Sequence, residues 1–255
     1  MSSLADFAKL LDDAAARATS VDPIDPDGKL TLPQAYIIQA DAMHRRLERG
    51  ERRTGVKMGF TSRSKMLQMG IDDMIWGRLS NAMQVAEGDT VSLAGRIHPR
   101  VEPELAFVLK HDLPGDANAV QALAAVEAIA PALEIIDSRY RDFKFNLPEV
   151  VADNASASGY VIGAWSNPRT DFGNLGLLLT IDGHVTQVGS TAAILGHPLR
   201  SLVAAARLSA AAGEPLQAGW VIMAGGATAA EWLLAGQHVC VEMERLGSAG
   251  FHVRD

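Results

Sequence analysis

The sequence predicts an α+β protein in which a small helical N-terminal part precedes a larger β-rich body. Two observations support this prediction. Apolar residues recur at helical spacing in 4–11 and again in 32–47, on either side of a linker rich in Pro and Asp. From Gly55 onward the pattern changes to short apolar runs separated by Gly, Pro and Asp. We therefore expect a helical N-terminal region, 1–54, and a β-rich catalytic domain, 55–255.

Eight segments of the body have the apolar and β-branched composition of strands. In order, they are VKMGF, TVSLAG, ELAFVLK, ALEIID, GYVIGAW, LGLLLTIDG, WVIMAGG and HVCVEME. Helical interruptions are predicted near 64–69, 118–130 and 198–212. The helix near 118–130 separates ELAFVLK from ALEIID, so a strand, helix, strand excursion can return the second strand to the side of the first.

Composition limits the possible partners. A chain of 255 residues with 48% hydrophobic content can bury one large core or two modest ones. The net charge is -7, and the scattered basic residues argue against nucleic acid or an anionic membrane as a partner. The N-terminal stretch is amphipathic and acidic, and no apolar run approaches the roughly 18 residues of a membrane span. We expect a cytoplasmic protein that acts on a small molecule.

Three carboxylates are the strongest functional signal. Glu102 and Glu104 lie in the apolar run HPRVEPELAFVL, and Glu134 lies in PALEIIDSRY. Alternate residues of a strand share a face, so Glu102 and Glu104 are expected to point the same way. Like charges held together in an apolar segment need a compensating cation, and magnesium binds oxygen ligands. Glu-x-Glu also occurs on the solvated face of ordinary amphipathic strands, so spacing alone leaves both readings open.

Two further features fit an anionic ligand, although each also has a purely structural explanation. Lys57 lies inside the apolar run VKMGF, where a lysine either extends its ammonium group to solvent or pairs with anionic groups inside. Gly225 and Gly226 follow the run WVIM, and their missing side chains would let backbone amides approach an anion. A Gly-Gly turn alone is weak support for such a site.

Long motifs in a fixed order then resemble a known family. The segments are KMGFTSRSKMLQMGI, HPRVEPELAFVLK, PALEIIDSRYRDFKFNLPEVVADNAS, LGHPL and MAGGATAA. Together they are similar to the hydratase and decarboxylase branch of the fumarylacetoacetate hydrolase superfamily, from about residue 30 to the C-terminus. The resemblance implies a mixed β-sandwich roll with a small helical N-terminal part. It also implies that Glu102, Glu104 and Glu134 bind Mg²⁺ or Mn²⁺.

Two chemistries compete within this branch. The hydratases add water to 2-hydroxypenta-2,4-dienoate, and the decarboxylases remove carbon dioxide from 2-oxo-3-hexenedioate in the meta-cleavage pathway of aromatic catabolism. Hydratases tend to carry an Asp two residues before the glycine of a PDFGTL-like stretch, where this chain has Ile75 in MIWGRL. An apolar side chain suits a departing carboxylate better than an incoming water. The resemblance therefore favours the decarboxylase, a metal-dependent carbon–carbon lyase, with the hydratase as the alternative.

The resemblance also suggests roles for individual residues. Lys57 would stabilise negative charge, and Asp137 would orient Lys57 or a metal-bound water. The substrate-binding candidates are Ile75, Ser156, Gly225, Gly226 and Thr228. Pro103, between the two glutamates, predicts a strand edge or a bulge at that point.

Less favoured interpretations are an acylpyruvase-type hydrolase and an inactive ligand-binding relative, since fold alone does not fix function. The expected partners are an oxo-acid substrate, further copies of the chain in a homo-oligomer, and a hydratase in a complex.

Overall fold

The computed structural model describes residues 3–62, 66–67, 70 and 72–255. The described helices are α1 (Leu4–Arg17), α2 (Leu32–Glu48), α3 (Ala119–Ala125), α4 (Leu147–Ala152) and α5 (Pro198–Ala211). The strands are β1 (Arg53–Gly59), β2 (Ile75–Ser80), β3 (Gln84–Val85), β4 (Thr90–Ser92), β5 (Arg100–Leu109), β6 (Val126–Ile136), β7 (Ala157–Ile162), β8 (Gly176–Ile181), β9 (His184–Ser190), β10 (Val221–Met223), β11 (Glu231–Trp232), β12 (His238–Met243) and β13 (Gly247–Arg254).

The strands form two sheets. The larger has eight strands in the order β2-β1-β10-β5-β6-β7-β3, with β11 pairing with β5. It is mixed, because β1 runs parallel to β10 and β3 parallel to β7 while its other pairs are antiparallel. The second sheet has five strands in the order β4-β13-β12-β8-β9. The α+β class and the mixed β-sandwich are confirmed.

The main core lies between the two sheets. Odd-numbered residues of β5, such as Leu105 and Phe107, pack in one cluster with Leu179 of β8 and Val241 of β12. Even-numbered residues of β5 therefore face away from the second sheet, because side chains alternate along a strand. That opposite face of the larger sheet carries the candidate site.

The N-terminal helices begin where the sequence supplies capping residues. Ser3 and Thr31 are the N-caps of α1 and α2, and each forms a capping box with the third helical residue. Ala8 of α1 and Ile38 of α2 share a buried cluster with residues of the β-rich body, among them Val151. The first strand begins at Arg53, close to the predicted boundary at 54 and 55. No described helix combines the length and apolar character needed to cross a membrane.

All eight predicted strands occur, but several element boundaries differ. The helix predicted over 118–130 ends at Ala125, and strand β6 begins at Val126. The short helix predicted near 64–69 falls mostly outside the described residues. The composition did not identify β2, β9 and β13 or the two-residue strands β3 and β11. Strand β13 is rich in small residues, and β9 is mostly exposed.

Pro103 does not lie on an edge strand, since β5 pairs with β6 along its whole length. On its other side, β5 pairs with β10 from Ala106 to Val108 and with β11 at 100–101. Pro103 faces the gap between these two partners, where its carbonyl accepts a hydrogen bond from Ala227. A proline is tolerated there because no described strand lies opposite its nitrogen in this gap, so the missing N–H costs no hydrogen bond of the sheet.

Side chains cover the outer edge of β2, the first strand of the larger sheet. The Trp76 N–H donates to Tyr36 Oη at 3.3 Å, and Gln39 Nε2 donates to the Trp76 carbonyl at 3.1 Å. Two residues further on, the Asn154 amide accepts from the Arg78 N–H at 2.7 Å and donates to the Arg78 carbonyl at 2.9 Å. Helix α2 and one asparagine thus replace a neighbouring strand along this edge.

Candidate active site

The antiparallel pairing of β5 with β6 brings the three glutamates together. Glu102 lies directly opposite Glu134 in the register, and Glu104 lies opposite Ala132. One oxygen from each of the three carboxylates lies within 4.8 Å of the others. The prediction that the excursion returns Glu134 beside the first pair is confirmed. The connection between β5 and β6 contains one short helix, α3, and returns the chain so that the two glutamate-bearing strands are adjacent.

Lys57 points inward to this cluster. Its side chain is buried, with Nζ 3.0 Å from Glu134 Oε2 and donating to the Ala155 carbonyl at 3.0 Å. Strand β1 reaches the site because it pairs with β10, which in turn pairs with β5. The alternative in which Lys57 extends to solvent is therefore wrong.

The electrostatics of the cluster favour a bound cation. Burial raises the pKa of Glu104 well above the usual carboxyl range, and the charge of Glu134 raises it further. Burial likewise raises the pKa of Glu134, although Lys57 opposes the shift. Burial alone would lower the pKa of Lys57, but Glu134, Glu104 and Glu102 outweigh it and raise that pKa. Among the described residues, the two fully buried carboxylates, Glu104 and Glu134, thus lie beside one ammonium group, that of Lys57, whose single charge does not balance both.

The unsatisfied oxygens show where a cation fits. In the described part of the chain, Glu104 Oε1 and Glu134 Oε1 are buried and have no hydrogen-bond partner. Such atoms are costly to bury unless something binds them. Three carboxylates with converging oxygens form a donor set that suits a hard divalent ion such as Mg²⁺ or Mn²⁺. The residues present therefore fit the metal that the sequence predicts.

A strained turn supplies the carbonyl that binds Lys57. Asn154, Ala155 and Ser156 all have left-handed backbone, with φ of 53°, 50° and 58°. This conformation costs free energy at non-glycine residues, so its surroundings must hold it. Asn154 is fixed to Arg78 by its two amide hydrogen bonds, and the Ser156 carbonyl accepts from the Asp137 N–H. The Ser156 hydroxyl is buried and, among the described residues, has no partner. Ser156 is not among the residues that line the cavity beside the glutamates, and its role in substrate binding stays a prediction.

The loop after β10 forms another wall of the site. Gly225 has φ of +106°, and a side chain there would meet Thr61 at 2.3 Å. Its N–H donates to Glu104 Oε2 at 2.7 Å. The expectation that this amide binds a substrate anion is therefore wrong in its detail, because the amide binds a carboxylate of the protein. A Cβ on Gly226 would lie 2.7 Å from Glu102 Oε2, so this position too must stay small.

A cavity of about 180 Å³ opens beside the glutamates. Its walls come from the end of β1 and the residues after it, from Glu102, and from the loop after β10. The lining residues are Met58, Gly59, Phe60, Thr61, Ser62, Glu102, Ala193, Gly226, Ala227, Thr228 and Ala229. Gly226 and Thr228 line this cavity, and their role in substrate binding stays a prediction. The Thr228 hydroxyl donates to the Ala229 carbonyl.

Two predicted site residues lie elsewhere. The Asp137 carboxylate accepts from the N–H groups of Ile97 and His98, each at 2.8 Å, and these hydrogen bonds fix the segment that leads into β5. Among the described contacts Lys57 pairs with Glu134 and Ala155 instead, so direct orientation of Lys57 by Asp137 is not found. Ile75 packs in the cluster shared with the N-terminal helices, is buried, and is not among the cavity-lining residues. Their catalytic and substrate-binding roles stay predictions.

The structure adds groups that the sequence did not indicate. They are the Ala155 carbonyl and the Asn154 side chain, and both depend on the left-handed turn at 154–156, which no residue pattern displays. The only local signal is Asn154, because asparagine adopts left-handed backbone more readily than most residues other than glycine.

Comparison with known proteins gives consistent results. A family model described as Fumarylacetoacetate (FAA) hydrolase C-terminal matches residues 53–254. The chain is 53% identical over 245 residues to a 4-oxalocrotonate decarboxylase from a Pseudomonas species, covering 96% of each chain. It superposes with a TM-score of 0.95 on 4-oxalocrotonate decarboxylase from Pseudomonas putida complexed with magnesium and adipate, at 35% identity and covering 98% and 97% of the two chains. A 2-keto-4-pentenoate hydratase from Paraburkholderia xenovorans is 37% identical over 77% of this chain and 74% of its own.

Proposed function

This chain belongs to the fumarylacetoacetate hydrolase family, and from this premise we propose that it is a divalent-metal-dependent decarboxylase of 2-oxo-3-hexenedioate, also called 4-oxalocrotonate. The products are 2-hydroxypenta-2,4-dienoate and carbon dioxide. The observation that carries the proposal is the 53% identity to a 4-oxalocrotonate decarboxylase over 96% of both chains. The glutamate cluster with its buried lysine is the chemistry that such a reaction requires.

The metal-binding residues are Glu102, Glu104 and Glu134. A divalent ion bound there supplies a Lewis acid for the 2-oxo acid end of the substrate. Mg²⁺ is favoured because the donor set is entirely carboxylate oxygen, and the related structure in complex with magnesium agrees with this choice. Gly225 holds Glu104 in position through its amide, and Lys57 does the same for Glu134 through its ammonium group.

Lys57 stabilises the charge that develops during the reaction. When the bond to the departing carboxylate breaks, its electron pair passes through the conjugated alkene to the oxygen at C2, which becomes an enolate. A buried ammonium group beside this oxygen stabilises that charge more than it would in water. The Ala155 carbonyl and Glu134 fix the direction of the ammonium group, so little reorganisation is needed. The apolar walls of the cavity, such as Met58 and Phe60, exclude water from the dienolate.

A hydratase is the second candidate, because hydratases in the comparison reach 37% identity over 77% of this chain. Both reactions pass through the same kind of dienolate, so the metal site and Lys57 would serve either. The lower identity and the smaller coverage favour the decarboxylase.

Turnover of two substrates separates these functions. Purified protein is incubated with 2-oxo-3-hexenedioate and, separately, with 2-hydroxypenta-2,4-dienoate, each with Mg²⁺ and with EDTA. Magnesium-dependent release of carbon dioxide without loss of the dienoate is the expected result. Loss of the dienoate without carbon dioxide release would indicate the hydratase, and no reaction with either substrate would contradict both functions.

Association with other chains is also proposed from the family resemblance. We expect a homo-oligomer, and a complex with a hydratase would deliver the unstable dienol directly to the next enzyme. Light scattering of the purified protein, alone and with such a hydratase, measures the mass of each species. A monomer under both conditions would contradict this expectation.

A further inference from the structure

Arg100 is held between two aromatic rings at the start of β5. Its guanidinium carbon lies 3.9 Å from the ring centroid of Trp232 and 4.3 Å from that of Phe143. Phe143 reaches this position through left-handed backbone at Asp142 and Phe143, with φ of 57° and 58°. Stacking on both faces fixes the plane of the guanidinium group and leaves its in-plane N–H donors to act. Two strained residues are thus used to fix one cation.

No described residue accepts a hydrogen bond from this cation. In the part of the chain that the structure describes, no hydrogen bond or ion pair of the Arg100 guanidinium group is found, and its Nε is buried without a partner. Arg53 and Arg96 also have a buried Nε without a partner, but Arg53 donates through its Nη atoms to Glu214 and Gly55, and Arg96 donates through Nη1 to Ser158. A fixed arginine with free donors is a preorganised site for a carboxylate, which it can bind through two parallel hydrogen bonds.

Arg100 lies on the same face of the strand as the glutamates. Residues 100, 102 and 104 alternate with core residues, so their side chains share the face that carries the metal site. The loop that walls the cavity runs antiparallel to β5, from Ala227 beside Pro103 to Trp232 beside Arg100. The cavity wall formed by 226–229 therefore leads toward Arg100.

The spacing suits a six-carbon diacid. Residues two apart on a strand are about 6.6 Å apart along the chain. The carboxyl carbons of an extended six-carbon diacid are separated by five carbon–carbon bonds, or about 6 Å when the zigzag is projected on its axis. A substrate with one end at Glu102 can therefore reach the Arg100 donors with its other end.

We propose that Arg100, clamped by Phe143 and Trp232, binds the second carboxylate of a dicarboxylate substrate whose 2-oxo acid end lies at the glutamate cluster. This inference rests on the proposed function for the identity of the substrate. A monocarboxylate has no group for Arg100, so the residue selects for diacids. The second carboxylate leaves as neutral carbon dioxide, so Arg100 stabilises bound substrate more than the transition state. Its loss therefore raises KM and leaves kcat equal to or above the wild-type value.

Ligand binding tests the subsite without turnover. Calorimetry in the presence of Mg²⁺ compares adipate with hexanoate, which has the same chain length and one carboxylate fewer. The wild type is expected to prefer adipate by about 10- to 100-fold, the range for a charge-assisted contact. In R100M this preference disappears, and in R100K part of it remains. The control R254M removes an exposed arginine at the end of β13 and keeps the wild-type preference.

The turnover assay adds an independent measurement. In R100M the KM for 2-oxo-3-hexenedioate is expected to rise about 10- to 100-fold, with kcat equal to or above that of the wild type. If R100M does not fold, W232L serves instead, because the Trp232 ring is half exposed and its removal opens one side of the clamp. In W232L, the ratio of adipate affinity to hexanoate affinity is expected to fall at least about threefold.

The outcomes separate the subsite from the proposed function. An adipate preference that is unchanged in R100M, or in W232L where R100M does not fold, overturns the role of Arg100 even if the protein is an active decarboxylase. A preference lost in R100M together with no turnover of 2-oxo-3-hexenedioate supports the diacid subsite and overturns the proposed function.

Discussion

Replacing Glu104 with Gln tests the metal site most directly, since the two side chains have the same shape. A glutamine oxygen can still accept the hydrogen bond from the Gly225 N–H, so the loop after β10 should keep its position. The variant loses one of three charged ligands at the cluster. Even altered groups that only support metal ligands typically lower metal affinity 10- to 100-fold, so a loss of at least about 100-fold is expected here.

The magnitude follows from binding linkage. At free Mg²⁺ about 100 times the wild-type Kd, the ion stabilises the wild type by about 2.7 kcal/mol. For a chain of this size, 1 kcal/mol shifts Tm by roughly 2 to 4 °C, so the wild type should gain about 5 to 10 °C. With affinity about 100-fold lower, E104Q gains about 0.4 kcal/mol, or about 1 °C.

Without metal, the order of stability should be reversed, with the wild type no more stable than E104Q. Burial raises the pKa of Glu104 in the folded state, so keeping this carboxyl ionised at neutral pH costs stability. A neutral glutamine avoids that cost, and E104Q in EDTA should melt at or above the temperature of the wild type. Removing Mg²⁺ is thus expected to lower the Tm of the wild type strongly and that of E104Q hardly at all.

Differential scanning calorimetry with and without Mg²⁺ measures both effects, and circular dichroism checks the fold. The control E242Q removes an exposed carboxylate of β12 and should retain the full Mg²⁺-dependent gain. A gain in E104Q as large as in the wild type would refute the assignment of Glu104 as a metal ligand.

Three further perturbations test the surroundings of the metal site. K57M should lower kcat at least about 100-fold at saturating Mg²⁺ while keeping the Mg²⁺-dependent Tm gain, and a loss of that gain instead would point to a role in metal binding. N154A removes both hydrogen bonds to Arg78, so the free energy of unfolding measured in urea should fall by about 1 to 3 kcal/mol. The turn that presents the Ala155 carbonyl to Lys57 is then no longer fixed, so kcat should also fall. An unchanged kcat would contradict the positioning role of Asn154. Burial raises the pKa of Asp153 to about 6 in the folded state, so its protonation favours folding, and its contribution to the free energy of unfolding should increase by roughly 2 kcal/mol as the pH falls from 7 to 4. Urea unfolding across this range should show that contribution in the wild type and not in D153N; parallel pH profiles would exclude it.

The metal ligands could be predicted from the sequence because two simple periodicities determine their positions. A spacing of two places Glu102 and Glu104 on one face, and a short strand, helix, strand excursion returns Glu134 beside them. The apolar runs identified eight strands for a similar reason, since buried strands have a distinctive composition. These features depend on residues that are close in sequence or on one pairing of neighbouring strands.

The remaining parts of the site depend on contacts that have no sequence period. The left-handed turn at 154–156 is stabilised by Arg78, which is 76 residues away in the sequence from Asn154. Asp137 was expected to orient Lys57, but the end of β6 directs its carboxylate to the backbone of 97–98. Ile75 was assigned to the substrate from family patterns, and its packing beneath the N-terminal helices could not be inferred from an apolar residue type alone.

The covered edge of β2 has a practical consequence for dissecting this protein. The family model begins at residue 53, yet Tyr36 and Gln39, which bind the exposed backbone of Trp76, precede it. A truncated chain beginning at residue 53 would present an N–H and a carbonyl group with no partner on an edge strand, a surface that readily pairs with another chain. Such a fragment should precipitate or aggregate edge to edge. The smallest part of the chain that folds and stays in solution is therefore expected to be longer than the segment that the family model matches.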